Sequence, residues 1–402
     1  MKTGITCIGK LLLSLLCGMV FTANAAGSGD GKGWTATWAA APQLASGVDM
    51  PAGSDLSNSA LRQVIHVSTG GDVLRLKLSN EYSKAPVEIK SVYIATASDS
   101  CDIDVKSAEY LSFGGKRSVT IPAGGVVVSD GVKFGLSPLQ RLSVTINYGT
   151  TPKEATAHLG SRTTSYIIKG EAKPKTSFRN GERVVHWYNI ASLDVMGGAE
   201  VIAVIGNSIT DGRGSTTDMQ NRWTDVFAES LHAAGAGMGV LNLGIGGNCV
   251  LKNGLGTPAV KRYDRDVLAQ AGVTRVVIFE GVNDIGGIDG NAETIVKELI
   301  DAYKQMAEKA RKQGLKVYCA TITPFKGNSY YSHFHEAARL TVNDWIRGSK
   351  CFDGVIDFDM LMRDPSDVSS IRRGFHEDGL HPNAAGYKMM GEYAADVILK
   401  GK

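Results

Sequence analysis

The sequence predicts an α/β fold, a flavodoxin-like three-layer doubly wound parallel sheet, preceded by an all-β sandwich of the jelly-roll kind. Two observations carry this. As far as Asn189, apolar residues alternate with polar ones, cleanly so at 73–79, 87–94 and 142–148, the period of half-buried strands. From Glu200 onward, continuous β-branched runs alternate with helical patterns, as in a parallel sheet covered on both faces.

Residues 26–195 are assigned to the sandwich. Its short strands are separated by Gly70-Gly71, Gly114-Gly115, Gly124-Gly125 and the Ser137-Pro138 turn, residue types that supply tight-turn backbone angles. No nucleophile-and-base set stands out there. The opening Trp34-Thr-Ala-Thr-Trp-Ala-Ala-Ala-Pro42 reads as an edge strand with its packing aromatics rather than a sugar-stacking platform.

Residues 196–402 are assigned to the α/β domain, with parallel strands centred near Val201, Val240, Val276, Val317 and Val355. The clearest helix covers 292–313. Ile295, Leu299, Tyr303, Met306 and Ala310 fall on one face, and Gly314 stands where a C-terminal cap belongs. A last helix is expected over 383–399. Two loops are placed to shape a pocket. The stretch 325–335 is aromatic-rich and contains His333 and His335, which lack further clustered ligands and suit a plain surface loop better than a metal. The stretch 364–377 carries Arg372 and Arg373, read as solvated charges.

Composition narrows the partners. Residues 1–25 hold Lys2 and Lys10, an apolar stretch from Leu11 to Phe21, and the small-x-small Ala23-Asn24-Ala25. That pattern is a secretory signal peptide, too short in its apolar core to span a bilayer. Export to the periplasm or the medium is expected, without stable membrane insertion. The bulky Leu16 before Cys17 disfavours a lipid attachment site. Lys+Arg (43) and Asp+Glu (40) nearly balance over the 402 residues, which argues against nucleic acid as a partner. Beyond the signal, Cys101, Cys249, Cys319 and Cys351 show neither CxxC pairs nor zinc-type spacing. Cys319, within an apolar run, is expected to be a buried thiol.

Four short blocks carry the chemistry: Gly206-Asn207-Ser208-Ile209-Thr210, Asn242-Leu243-Gly244-Ile245-Gly246-Gly247, Gly281-Val282-Asn283-Asp284 and Asp378-Gly379-Leu380-His381-Pro382. The first three follow apolar runs, so their residues should leave the sheet at its carboxyl edge, where open α/β sheets bind ligands. A serine hydroxyl attacks only when a base takes its proton. His381 is that base, and Asp378, three residues earlier, orients the ring and stabilises its charged form. The Ser208 and Gly247 N–H groups and the Asn283 amide are candidates to converge on an oxyanion. The rival Gly-x-Ser-x-Gly elbow fails, because Thr210 stands where it requires glycine.

This set resembles the SGNH (GDSL-type) hydrolase family over roughly the C-terminal half. The resemblance implies Ser208 as nucleophile, Gly247 and Asn283 as oxyanion donors, His381 as base and Asp378 as its partner. The family usually has aspartate where Asn207 stands; asparagine keeps the shape and the hydrogen-bond acceptor but lacks the charge. The expected function is an exported serine esterase that needs no metal or organic cofactor. Its expected substrate is a small-molecule or polysaccharide ester, most plausibly O-acetyl groups on a carbohydrate. Two other readings stand beside it: a lipid-directed acylhydrolase of the lysophospholipase or thioesterase type, and a carbohydrate-binding protein whose hydrolase domain has decayed. Intact Ser208, Gly247, Asn283, Asp378 and His381 weigh against the second.

Overall fold

The computed structural model describes residues 33–401 apart from 53–54, 99–100 and 290–291. The signal peptide expected at 1–25 lies outside the described residues.

Alternating apolar residues build two large antiparallel sheets in the N-terminal part, beside a smaller one of three short strands, Trp187–Tyr188, Ala155–His158 and Gln43–Ala45. One runs in the order Trp34–Ala39, Ile190–Met196, Gly71–Ser79, Val126–Val128. The other centres on Ser59–His66, Arg141–Tyr148 and Val87–Thr96. Leu74, Leu76 and Leu78 from the first sheet and Ile65, Val144 and Ile146 from the second share one buried core. Each such side chain contributes about 1.5–3 kcal/mol on burial. Of the sequence-predicted turns, two hold glycine at positive φ, with Gly114 at 59°, Gly115 at 77° and Gly124 at 67°, whereas Gly71 opens the strand Gly71–Ser79. Trp34–Ala39 is an edge strand, and Trp38 is buried edge-on against Trp187 with ring centroids 5.0 Å apart. That packing leaves Trp38 no open face for a sugar.

The C-terminal part is a five-stranded parallel sheet. Its strands, in chain order, are Val201–Gly206, Gly239–Gly244, Val273–Phe279, Lys316–Ala320 and Gly354–Ile356. Their spatial order is second, first, third, fourth, fifth, the flavodoxin-like arrangement. Register matters most for the site. Gly206 pairs with Gly244 on one side and with Phe279 on the other, so the first three blocks leave the sheet at one edge. The helix Ala292–Lys312 buries Ile295, Leu299, Tyr303, Met306 and Ala310, and Gly314 follows at φ 77°. The last helix, Ala384–Lys400, is capped by Asn383, whose side chain accepts from Ala385 and Gly386 N–H.

Both predicted loops are more ordered than their composition suggests. His333 opens the helix His333–Gly348, capped by Ser332. Within 364–377, Asp367–Ile371 pairs antiparallel with Arg363–Asp364.

Gly33–Lys402 is one compact unit, and the sandwich meets the α/β part along a buried seam. Ala36 and Ala39 belong to the α/β core. Ala36 N–H donates to Ala271 O at 2.9 Å, and His232 Nε2 lies 2.6 Å from Ser68 O.

Candidate active site

Ser208 begins a single helical turn, Ser208–Asp211, immediately beyond the first parallel strand. Asn207 caps that turn by accepting from Ile209 N–H at 3.0 Å. The turn also depends on Gly206, where a Cβ would come within 2.1 Å of Thr210 Oγ1. The helix start leaves the Ser208 N–H without an intrahelical acceptor. Among the described residues neither this N–H nor that of Gly247 makes a hydrogen bond within the protein.

The fourth block meets the first. Ser208 Oγ lies 2.9 Å from His381 Nε2, and His381 Nδ1 lies 2.6 Å from Asp378 Oδ2. The carboxylate can only accept, so Nδ1 carries the proton and the bare Nε2 faces the serine hydroxyl. Asp378 Oδ1 accepts from the N–H of His381 at 2.8 Å and of Leu380 at 3.0 Å, which folds the turn. Burial would raise the Asp378 carboxyl, but these N–H groups and the imidazole outweigh it and hold it at about 2. Burial keeps His381 below the usual histidine value; Asp378 opposes this, and the nearby Arg213 and Arg162 add to it. His381 is therefore the free base at neutral pH.

The second and third blocks are tied together. Asn283 Nδ2 donates to Asn248 O at 2.7 Å, which leaves the other amide hydrogen free. Asp284 accepts from Val250 N–H at 2.8 Å and Leu251 N–H at 3.1 Å. Gly247 sits at φ 66° with Leu255 against it, a backbone conformation that side-chain-bearing residues rarely adopt.

Three groups that the sequence reading did not single out complete the site. Tyr330, in the loop after the fourth strand, donates its hydroxyl to Asn283 Oδ1 at 3.1 Å. That loop docks on the histidine turn through Asn328 Nδ2, which donates to Asp378 O at 3.1 Å. A Cβ on Gly379 would lie 2.8 Å from Gly327 C, so only glycine allows this approach.

Arg262 is the second. Fully buried, it donates to Gly206 O (3.1 Å), Leu243 O (2.8 Å) and Asn248 Oδ1 (2.9 Å), and lies 3.6 Å from Glu280 Oε1. One guanidinium thus fastens the ends of the first two strands and the Gly247 loop. Glu280, at the end of the third strand, is pushed well above the usual carboxylate range by burial, with Arg262 and an Asn207 hydrogen bond opposing.

The third comes from the sandwich. Asp211, at the end of the Ser208–Asp211 turn, meets His158 Nε2 at 2.8 Å and accepts from Arg162 Nη2 at 3.0 Å.

Cys249, two residues past Gly247, is pushed up to about 12, by burial first and then by Asp284 and Glu280, so it remains a thiol. His335 is engaged by two backbone carbonyls, Tyr330 O at 2.6 Å and Ile288 O at 3.1 Å. Arg372 donates to Arg363 O at 3.2 Å.

A serine hydroxyl hydrogen-bonded to an oriented imidazole, beside free N–H donors, is what acyl transfer requires. Comparison with known families agrees, because residues 204–389 match the model of the GDSL-like Lipase/Acylhydrolase family. The C-terminal half is a GDSL-like acylhydrolase domain. As such it is a carboxylic ester hydrolase. No curated protein matches the chain. Among solved structures, the acylhydrolase domain is similar to a protein described as lipolytic, of the G-D-S-L family, from Desulfitobacterium hafniense (25% identity, 49% of this chain and 98% of that one, TM-score 0.39). It is also similar to an acetyl xylan esterase (21%, 49% and 99%, TM-score 0.38). A carbohydrate acetylesterase family member from Sinorhizobium meliloti is a third (17%, 50% and 98%, TM-score 0.39).

Proposed function

We propose that this chain is an exported serine esterase that removes acetyl groups from the hydroxyls of a carbohydrate through a covalent acyl-enzyme. The reading rests on the unbroken hydrogen-bond chain from Ser208 through His381 to Asp378, with links of 2.9 and 2.6 Å. His381 Nε2 takes the hydroxyl proton as Ser208 Oγ bonds to the ester carbonyl carbon. Asp378 stabilises the imidazolium that results. The negative charge on the former carbonyl oxygen is met by the N–H groups of Ser208 and Gly247 and by the free amide hydrogen of Asn283. Each such donor is worth roughly 100- to 1,000-fold in rate. His381 then protonates the departing alkoxide. Water, deprotonated by the same ring, releases the acid and restores Ser208.

Support for a sugar over a lipid comes from the rim beside His381. It carries the exposed Arg213 and Asp378 and the half-buried Asn328, which suit a polar alcohol. Support for export comes from the charge, apolar stretch and Ala23-Asn24-Ala25 of residues 1–25.

The test is turnover of p-nitrophenyl acetate, butyrate and octanoate by the purified mature chain, followed by acetate release from acetylated oligosaccharides. The acetate ester should give the highest kcat/KM. A preference for octanoate would return the lipid-directed reading, and no turnover of any ester would return the decayed-hydrolase reading. Mass analysis of the secreted chain should find its first residue at Ala26; retention of residues 1–25 would contradict export through a cleaved signal.

A further inference from the structure

Two arginines meet the Ser208–Asp211 turn from different parts of the chain, and both lower the proton affinity of His381. Arg213 follows the nucleophile turn. Its N–H donates to Ser208 O at 2.9 Å, and its carbonyl accepts from the Tyr387 hydroxyl. The next residue, Gly214, packs on the base: a Cβ there would lie 3.7 Å from His381 Cβ. This backbone is therefore pinned between nucleophile and base. Its guanidinium is exposed and makes no ion pair or hydrogen bond among the described residues.

Arg162 comes from the sandwich. Its backbone is held at φ 49°, with Asp218 N–H donating to its carbonyl at 3.0 Å. A long side chain rarely adopts that conformation. Its Nη2 is anchored on Asp211 at 3.0 Å, its side chain is 28% exposed, and its Nε is buried without a partner. A guanidinium anchored on one edge and 28% exposed overall suits recognition of a carboxylate or phosphate.

We infer that Arg162 and Arg213 form a receptor for an anionic group carried on the alcohol part of the ester, such as the carboxylate of an acetylated uronic acid. This rests on the serine-esterase reading above. The side of the substrate follows from the chemistry: His381 protonates the departing alkoxide, so groups around His381 face the alcohol. Gly247 and Asn283 attend the carbonyl oxygen. The sandwich then takes part in substrate choice, because Arg162 belongs to it.

The experiment uses the mature chain and two matched pairs of acetyl esters. One pair is an O-acetylated methyl galacturonoside and the corresponding galactoside; the other is acetylglycerol phosphate and monoacetylglycerol. At low ionic strength at least one anionic ester should exceed its neutral match by about tenfold or more in kcat/KM, chiefly through KM. That ratio should shrink in about 0.5 M salt, where exposed charges are screened. In Arg213→Gln, an exposed position whose fold is checked by circular dichroism, the ratio should fall below about threefold. A preference in the sugar pair supports the carbohydrate reading along with the receptor. A preference in the phosphate pair alone keeps the receptor and overturns the sugar. Equal turnover within both pairs, or a ratio untouched in Arg213→Gln, overturns the receptor while leaving the esterase reading intact. Failure to hydrolyse even p-nitrophenyl acetate overturns both.

Discussion

The Tyr330 hydroxyl donates to Asn283 Oδ1 at 3.1 Å, while Asn283 Nδ2 donates to Asn248 O at 2.7 Å. The amide is held from both ends, which fixes its remaining hydrogen before any substrate arrives. Preorganised donors of this kind lose little when charge develops on the substrate. Tyr330→Phe should therefore lower kcat by about tenfold with little change in KM, because one tether of a transition-state donor is gone. Asn283→Ala should cost roughly 100- to 1,000-fold in kcat. Steady-state kinetics on p-nitrophenyl acetate checks both, and a change confined to KM would make Asn283 a ground-state binding group.

Activity should reach into mild acid. The active form of His381 is the free base, and burial together with Arg213 and Arg162 keeps its proton affinity below the usual histidine value despite Asp378. Activity is lost as pH falls through that lowered value, so the acidic limb of kcat/KM should lie below about 6.5. Arg213→Gln removes one cation and should move the limb upward. A limb above 6.5 in the parent would contradict the environment described.

Arg262 should be the costliest of these residues to lose. It is fully buried and fastens Gly206, Leu243 and Asn248 with Glu280 beside it. Arg262→Met leaves buried carbonyls without donors and Glu280 without its cation, at an expected cost of about 3–5 kcal/mol. Urea denaturation measures it; a loss under about 1 kcal/mol would mean that the strand ends hold without this strut.

Asn207 donates to Glu280 Oε2 at 3.4 Å, which gives the family departure a physical meaning. Asn207→Asp would set two carboxyl groups together, and they would share a proton. The turn acceptor survives, so kcat/KM should change less than about tenfold. Stability should not be spared. A carboxyl whose folded pKa is raised contributes stability below its unfolded value and loses it as pH rises through the folded one. The deficit of the variant should therefore grow from about pH 5 to about pH 8. Thermal unfolding at both values checks the sign, and a deficit that shrinks with pH would contradict it.

The sequence was legible where local pattern governs. The parallel strands announce themselves as short apolar runs, and the buried stripe of Ala292–Lys312 follows directly from its helical period. Ser208, His381 and Asp378 stand in short blocks whose residue types already imply their chemistry. Arg262 did not stand out, because beside Lys261 it looks like an ordinary helix cation; only the fold shows that it points beneath the sheet edge. Tyr330 was hidden among several loop aromatics, and its partner Asn283 is distant in sequence. Arg162 and His158 were invisible for a further reason. Their partner Asp211 lies across the seam between the sandwich and the α/β part, and pairings of that range leave no periodicity.

The most direct test of the account is kcat for Ser208→Ala on p-nitrophenyl acetate at neutral pH, with circular dichroism matched to the parent. Ser208 Oγ is the hydroxyl that His381 Nε2 meets, at 2.9 Å, and the nearby Cys249 is held as a thiol. In Ser208→Ala, kcat should fall by at least about ten-thousandfold with an unchanged spectrum. A variant within about tenfold of the parent would contradict the account.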